Sequence, residues 1–346
     1  MQQPQRWWSP SCPVITGTPA VTFSLDEGNT LATTCELFSA TGYTYGLVAL
    51  ETANTLLAVH NHTLLRSEDA GCSWTSVAEL EGAEFPPALI AGHGNRAYGW
   101  SDNGQFFFRV DGTTVTKLKA PANPILGAAV DPANDDRVRI GGGDSTLWES
   151  LDAGQTWQQI GTIRVSSPLY YRILFDPSNL EHIVVGTLNA GAWVTFDGGS
   201  TWKESSGISS GGPVNVFNGA ISRADGNVVW LMALDIRQSD AGEPSSGRHI
   251  FHSVDGGESF AAVVDRSADV NLINGPVMAA HPTNPDVLYF VFGTYFQGYG
   301  TDLFRYDAAT RVLSRSHSNN DDINAIAFSP ASPSIMYLGL ETEQIR

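Results

Sequence analysis

The sequence predicts an all-β protein, a seven-bladed β-propeller of four-stranded blades, and three observations carry the prediction. A peptide of the form Ser-x-Asp-x-Gly-x-Ser/Thr-aromatic recurs at Ser67 to Trp74, Ser150 to Trp157, Thr195 to Trp202 (Thr leading) and Ser253 to Phe260. A second unit, two apolar runs joined by a turn rich in Asp, Pro and Asn, recurs seven times, from Leu47, Ala88, Ala128, Ile173, Gly219, Met278 and Ile326. Successive starts lie 40 to 59 residues apart, the length of one blade in a radial repeat.

Each second unit reads as a hairpin of strands A and B, because β-branched and aromatic runs flank turn residues. Where the Asp peptide follows, it forms the turn between strands C and D. In the second and sixth units that peptide has decayed, to FRVDGTTVTKL from Phe108 and FRYDAATRVLS from Phe304. The seventh unit stops after strand B. A fifth copy, Ser24 to Leu31 with Leu in the aromatic slot, has no hairpin before it. Residues 21–38 are therefore expected to pair with residues 323–341, so that the chain ends complete the last blade and no edge is left exposed. The domains predicted are an N-terminal arm over 1–20 and one propeller over 21–346, complete at Arg346.

The five box aspartates, Asp26, Asp69, Asp152, Asp197 and Asp255, have a structural explanation. A carboxylate accepts N–H bonds within its own turn, glycine tolerates positive φ, and the aromatic drops between sheets to bury on the order of 150–250 Å². None of them is read as catalytic or as a metal ligand.

The chain has 346 residues and a formal net charge of -17, from Lys+Arg 19 and Asp+Glu 36. Such a surface repels phosphate backbones and anionic lipid heads, so nucleic acid and membrane surfaces are not expected partners. No apolar run is long enough to span a bilayer. No cofactor is expected, and a monomer is. His60-Asn61-His62 offers two metal ligands without an evident third. Gly207-Ile208-Ser209-Ser210-Gly211 matches a nucleophile-elbow string but lacks the following helix. Cys72 belongs in the first blade's C–D turn, and Cys35 lies roughly 16 Å up a D strand. Those two are too far apart to bridge, and Cys12 on the arm is expected to pair with Cys35.

The Asp peptides resemble the Asp-box (BNR) repeats of sialidases, sortilin-type receptors and xyloglucanase-type glycosidases, over nearly the whole chain from about residue 21. The resemblance implies the fold more firmly than any activity, since that superfamily mixes enzymes with binding proteins. The sialidase Arg-Ile-Pro segment is absent; the nearest string is Arg172-Ile173-Leu174. A glycan-binding or glycoside-hydrolase-like propeller is the alternative reading. Hydrolysis would need two carboxyls at controlled separation, and the sequence singles out no such pair.

Box turns and Asp-Pro turns share one face of such a fold, so binding is expected on the opposite, loop-rich face. The aromatic and charged residues predicted there are Tyr43, Tyr45, Tyr170, Tyr171, Arg237, Tyr295, Phe296 and Tyr299. Gln297 in a long aromatic loop and Gln344 near the chain end are candidate acyl donors for a transglutaminase. In length, acidity, single propeller and these glutamines the chain is similar to secreted actinobacterial proteins that are non-enzymatic partners of extracellular metalloproteases and transglutaminase. The resemblance and the low lysine usage imply secretion, although no signal peptide is present. The function read from the sequence is that of a non-catalytic, protein-binding propeller.

Overall fold

The computed structural model describes residues 6–35, 44–80, 88–101, 107–164, 170–272, 277–292, 301–319 and 322–341. The protein is a seven-bladed β-propeller whose closing blade is built from both chain ends. That blade takes β1 (Val21–Ser24) at its start and β26 (Asp322–Ser329) and β27 (Ser332–Glu341) at its finish. Between them, blade 1 is β2 (Thr44–Ala49), β3 (Leu56–His60), β4 (Thr63–Ser67) and β5 (Thr75–Glu79). Blade 2 is β6 (Ala88–Ala91), β7 (Arg96–Trp100), β8 (Phe107–Asp111) and β9 (Thr114–Leu118). Blade 3 is β10 (Ile125–Asp131), β11 (Asn134–Gly142), β12 (Thr146–Ser150) and β13 (Gln158–Thr162). Blade 4 is β14 (Tyr170–Asp176), β15 (Asn179–Thr187), β16 (Ala192–Thr195) and β17 (Lys203–Glu204). Blade 5 is β18 (Val214–Ile221), β19 (Val229–Asp235), β20 (Arg248–Ser253) and β21 (Ala261–Asp265). Blade 6 is β22 (Val277–Ala280), β23 (Val287–Phe292), β24 (Thr301–Asp307) and β25 (Val312–Asn319). One short helix, α1 (Ile236–Asp240), interrupts the B–C connection of blade 5.

The chain forms two compact units. One contains Met1–Ala120, Gly293–Leu303 and Arg315–Arg346; the other contains Pro121–Phe292 and Phe304–Ser314. In the first, the closing blade packs on blade 1 and blade 1 on blade 2. The cluster of Phe23, Leu47, Leu56, Trp74 and Tyr337 fills the earlier junction, and Leu57, Leu64, Leu89 and Phe108 fill the later one. In the second, Ile173, Ile183 and Val185 join blades 3 and 4, Val216, Leu231 and Phe251 join blades 4 and 5, and Trp230, Phe290 and Phe304 join blades 5 and 6. The alternation of each strand places every second side chain in these junctions. Each fully buried large residue contributes about 1.5–3 kcal/mol.

The chain ends pair as expected, with Val21 opposite Gly339 and Ser24 opposite Met336. Among the described residues only strand C from the chain's start joins the ladder, however, and the closing sheet is three-stranded. Of the expected D strand, residues 36–38 lie outside the described residues, and among those described the Ala32 N–H donates to the Phe23 carbonyl at 2.9 Å. Beyond Ala32 the chain turns its main-chain groups toward the N-terminal arm. The Ile15 N–H donates to the Thr33 carbonyl at 2.8 Å, and the Cys35 N–H donates to the Ile15 carbonyl at 2.9 Å.

The described part of the arm is seated against the blades. The Trp7 indole donates to the Leu50 carbonyl at 3.1 Å, and Ile15 is fully buried. On its other side the Thr16 N–H donates to the Cys72 carbonyl at 3.0 Å, and the Trp74 N–H donates to the Thr16 carbonyl at 3.0 Å. This path corrects the expected disulfide. Cys12 is bonded to Cys72, with a Cα–Cα distance of 5.7 Å, and Cys35 is a free, exposed thiol. Cys35 and Cys72 do lie on opposite flanks of the arm, but the arm carries Cys12 to the box side.

Candidate interaction surface

The five Asp boxes share one hydrogen-bonding scheme. In the box of blade 4, the Thr195 hydroxyl donates to Asp197 Oδ1 at 2.8 Å and accepts from the Gly199 N–H at 3.0 Å. Asp197 Oδ1 also accepts from the Thr201 N–H at 2.8 Å, and Oδ2 accepts from the Thr201 hydroxyl at 2.6 Å. The same bonds recur around Asp26, Asp69, Asp152 and Asp255. Donors from the Thr156 and Thr201 hydroxyls hold Asp152 and Asp197 at about 2, below the ordinary 3.8. For Asp26, Asp69 and Asp255 burial pushes upward, yet the same kind of donors win and the values fall. Each carboxylate is thus engaged by three donors of its own turn.

Neighbouring blades are tied at these turns. The buried Tyr337 hydroxyl donates to the Ala70 carbonyl at 3.0 Å. Buried His182 lies between Asp176 Oδ2 at 3.0 Å and the Gly256 carbonyl at 2.8 Å. Arg139, also buried, joins Glu149 of its own blade to Glu181 of the next.

Tyr45 in blade 1 and Tyr171 in blade 4 are both 42% exposed. Each sits where the A strand slips register against strand B, between Thr44 and Gly46 and between Tyr170 and Arg172. Phe217 occupies the matching slip of blade 5, and Tyr171 rests edge-on against it with ring centroids 5.0 Å apart. Such bulges re-aim a side chain out of the alternating pattern. The slip also occurs at Leu126 and Asn324, so the bulge is architectural, and an aromatic placed in it is what varies. Arg237 is exposed on α1 and donates to the Ser210 carbonyl at 3.1 Å. Tyr170 lies in β14, its side chain outside the described residues, as are Tyr43, Tyr295, Phe296, Tyr299, Gln297 and Gln344.

The box turns carry residues that sequence reasoning passed over. The second position of the box is apolar and exposed in four of the five copies: Leu25 at 49%, Leu151 at 67%, Phe196 at 48% and Val254 at 68%. The signal was present as an apolar residue repeatedly placed inside a polar turn.

Two enzyme-like strings resolve into turns. The Ser209 hydroxyl donates to the Gly212 carbonyl at 2.7 Å and accepts from the Gly211 N–H. His60 Nδ1 meets the Thr44 hydroxyl at 3.2 Å, and among the described residues no three His, Cys, Asp or Glu side chains group as metal ligands. No helix is long and apolar enough to cross a membrane, among the described residues.

Turns of this geometry sit at the C–D corners of a β-propeller. Solved propellers share the fold at low identity. YCF48 bound to D1 peptide aligns with a TM-score of 0.61 and 12% identity, over 88% of this chain and 95% of that one. The GH74 xyloglucanase from Xanthomonas campestris aligns with a TM-score of 0.56 and 17% identity, over 79% of this chain and 46% of that one. No family model matches the chain. Dispase autolysis-inducing protein of Streptomyces mobaraensis is 50% identical over 342 residues, covering 98% of this chain and 91% of that protein. The chain belongs to the family of dispase autolysis-inducing protein.

Proposed function

We propose that the protein is a secreted, non-catalytic propeller that binds an extracellular metalloprotease of the dispase type through its loop-rich face. The observation that carries this reading is that an exposed tyrosine is set on an A-strand bulge in each of two blades, Tyr45 in blade 1 and Tyr171 in blade 4. Tyrosines of this kind supply large contact area at low entropic cost. The relative's name supplies the class of partner. The Cys12–Cys72 disulfide supports an oxidising compartment.

The test compares two triple variants for binding to purified dispase and for the rate at which the protease fragments itself. Tyr45→Ala/Tyr171→Ala/Arg237→Ala should weaken binding by about tenfold or more, the loss of one hot spot of about 1.4 kcal/mol or larger. Leu151→Ser/Phe196→Ser/Val254→Ser should leave binding unchanged. The reverse result moves the surface to the box face, and binding by both variants at the native level ends the proposal. The same reading keeps Gln297 and Gln344 as acyl donors. Transglutaminase with a fluorescent amine should label both, and a peptide map with neither labelled removes them.

A further inference from the structure

A groove of about 460 Å³ lies between the outer strand of blade 3 and the Asp box of blade 4. Ile160, Gly161, Thr162 and Arg164 line one wall, and Gly199 and Ser200 line the other. The corresponding gap is filled elsewhere in the same molecule. Between the closing blade and blade 1, Ile15 and Thr16 run parallel to both walls, bridging Thr34 on one side and Ser73 on the other. Between blades 4 and 5 the chain leaves its own sheet after β17, and Ser206 bridges Ser259 in the same way. Its N–H donates to the Glu258 carbonyl at 3.0 Å, and the Phe260 N–H donates back at 2.9 Å.

At the blade 3–4 gap the strand stays with its own sheet as far as Thr162, opposite Thr146. The box groups that match the Cys72 carbonyl and Trp74 N–H are the Ser200 carbonyl and the Trp202 N–H. Among the described residues neither takes a main-chain hydrogen bond. Trp202 is only half-buried, whereas Trp74 beneath Ile15 is buried. Ile160, three residues beyond its box aromatic, matches Thr34, which stands three beyond Leu31.

We propose that this groove is a binding site for an extended peptide segment of a partner protein, inserted parallel to β13 as the arm is inserted at blade 1. The two filled gaps state its chemistry. Both occupants carry Ser or Thr at the bridging position and Gly next, in Thr16-Gly17 and Ser206-Gly207. Both glycines have φ +83, and a Cβ on either would fall 2.0 Å from the carbonyl oxygen of Trp74 or Phe260. An apolar residue before the bridge would cover Trp202 as Ile15 covers Trp74. Exposed Arg164, at the carboxyl end of the wall, favours an acidic residue after the glycine. The segment is therefore apolar-Ser/Thr-Gly-acidic, recognised by strand addition to an edge. This site is separate from the loop-rich face and does not depend on it.

The test uses the intact, disulfide-bonded protein and the acetylated, amidated peptide Val-Ile-Thr-Gly-Glu-Pro, followed by amide hydrogen exchange and titration calorimetry. Binding should slow exchange at Trp202 and along residues 158–164 by about tenfold or more. The same peptide with Ala in place of Gly should not bind. An added side chain at Gly161 points across the groove, 3.8 Å from the Gly199 carbonyl oxygen, so Gly161→Phe should abolish binding. Arg164→Glu, at an exposed position, should weaken it about tenfold and serves if the first variant fails to fold. No protection at millimolar peptide overturns the proposal, as does protection that survives both substitutions. Protection that appears without peptide as protein concentration rises also overturns it, because a second copy's arm is then the occupant.

Discussion

At the scale of the residue, the box aspartate shows how one carboxylate organises a turn. Asp255 takes bonds from the Ser253 hydroxyl at 2.7 Å and the Ser259 N–H at 2.9 Å, with the Ser259 hydroxyl closing the ring on its second oxygen. Its neighbour Val254 points to solvent. Asp255→Ala should cost about 1–3 kcal/mol, because three donors lose their acceptor. Val254→Ala should stay within about 0.5 kcal/mol, and urea unfolding of the two variants measures the contrast. These roles were legible in the sequence because every partner of the aspartate lies within the same octapeptide. The bond from His182 to the Gly256 carbonyl was not legible. It joins residues of different blades, and no local pattern marks a histidine that spans that distance.

At the scale of the element, the strand hairpins could be read from alternation and turn residues, and all seven are present. The bulges beneath Tyr45 and Tyr171 could not, since one additional residue in a strand leaves the apolar pattern nearly intact. The path of the arm was also hidden. The residues 1–20 carry no repeat, and their position depends on a gap that exists only after two blades have packed. That is why Cys12 was assigned to Cys35 and is found on Cys72. A thiol-reactive label applied to the native protein should mark Cys35 alone, with Cys12 and Cys72 reacting only after reduction; a peptide map reads the outcome. Gly17→Ala should lower the melting temperature by several degrees, through the positive φ and the approach to the Trp74 carbonyl.

At the scale of the whole molecule, the boxes link the fold to acid. A carboxyl whose folded value is depressed contributes stability above its unfolded value near 4, and that contribution disappears as pH falls through the folded value. For Asp152 and Asp197 the window runs from about 4 down to about 2. An Asp152→Asn/Asp197→Asn variant should therefore be least stable relative to the native protein at pH 5–7, and the gap should narrow toward pH 2. Urea midpoints across that range measure it, and a gap independent of pH would show that the carboxylates are not its source. The fold as a whole was readable because repetition multiplies a weak signal, whereas a binding surface is written once. The pairing of Val21 with Gly339 has a further consequence. On the ribosome the first strand emerges before the six blades that separate it from its partner in the sequence. Until β27 has been made, the nascent closing sheet stands open with an edge that invites wrong pairings. In the cell, that interval of waiting is when the molecule is most vulnerable.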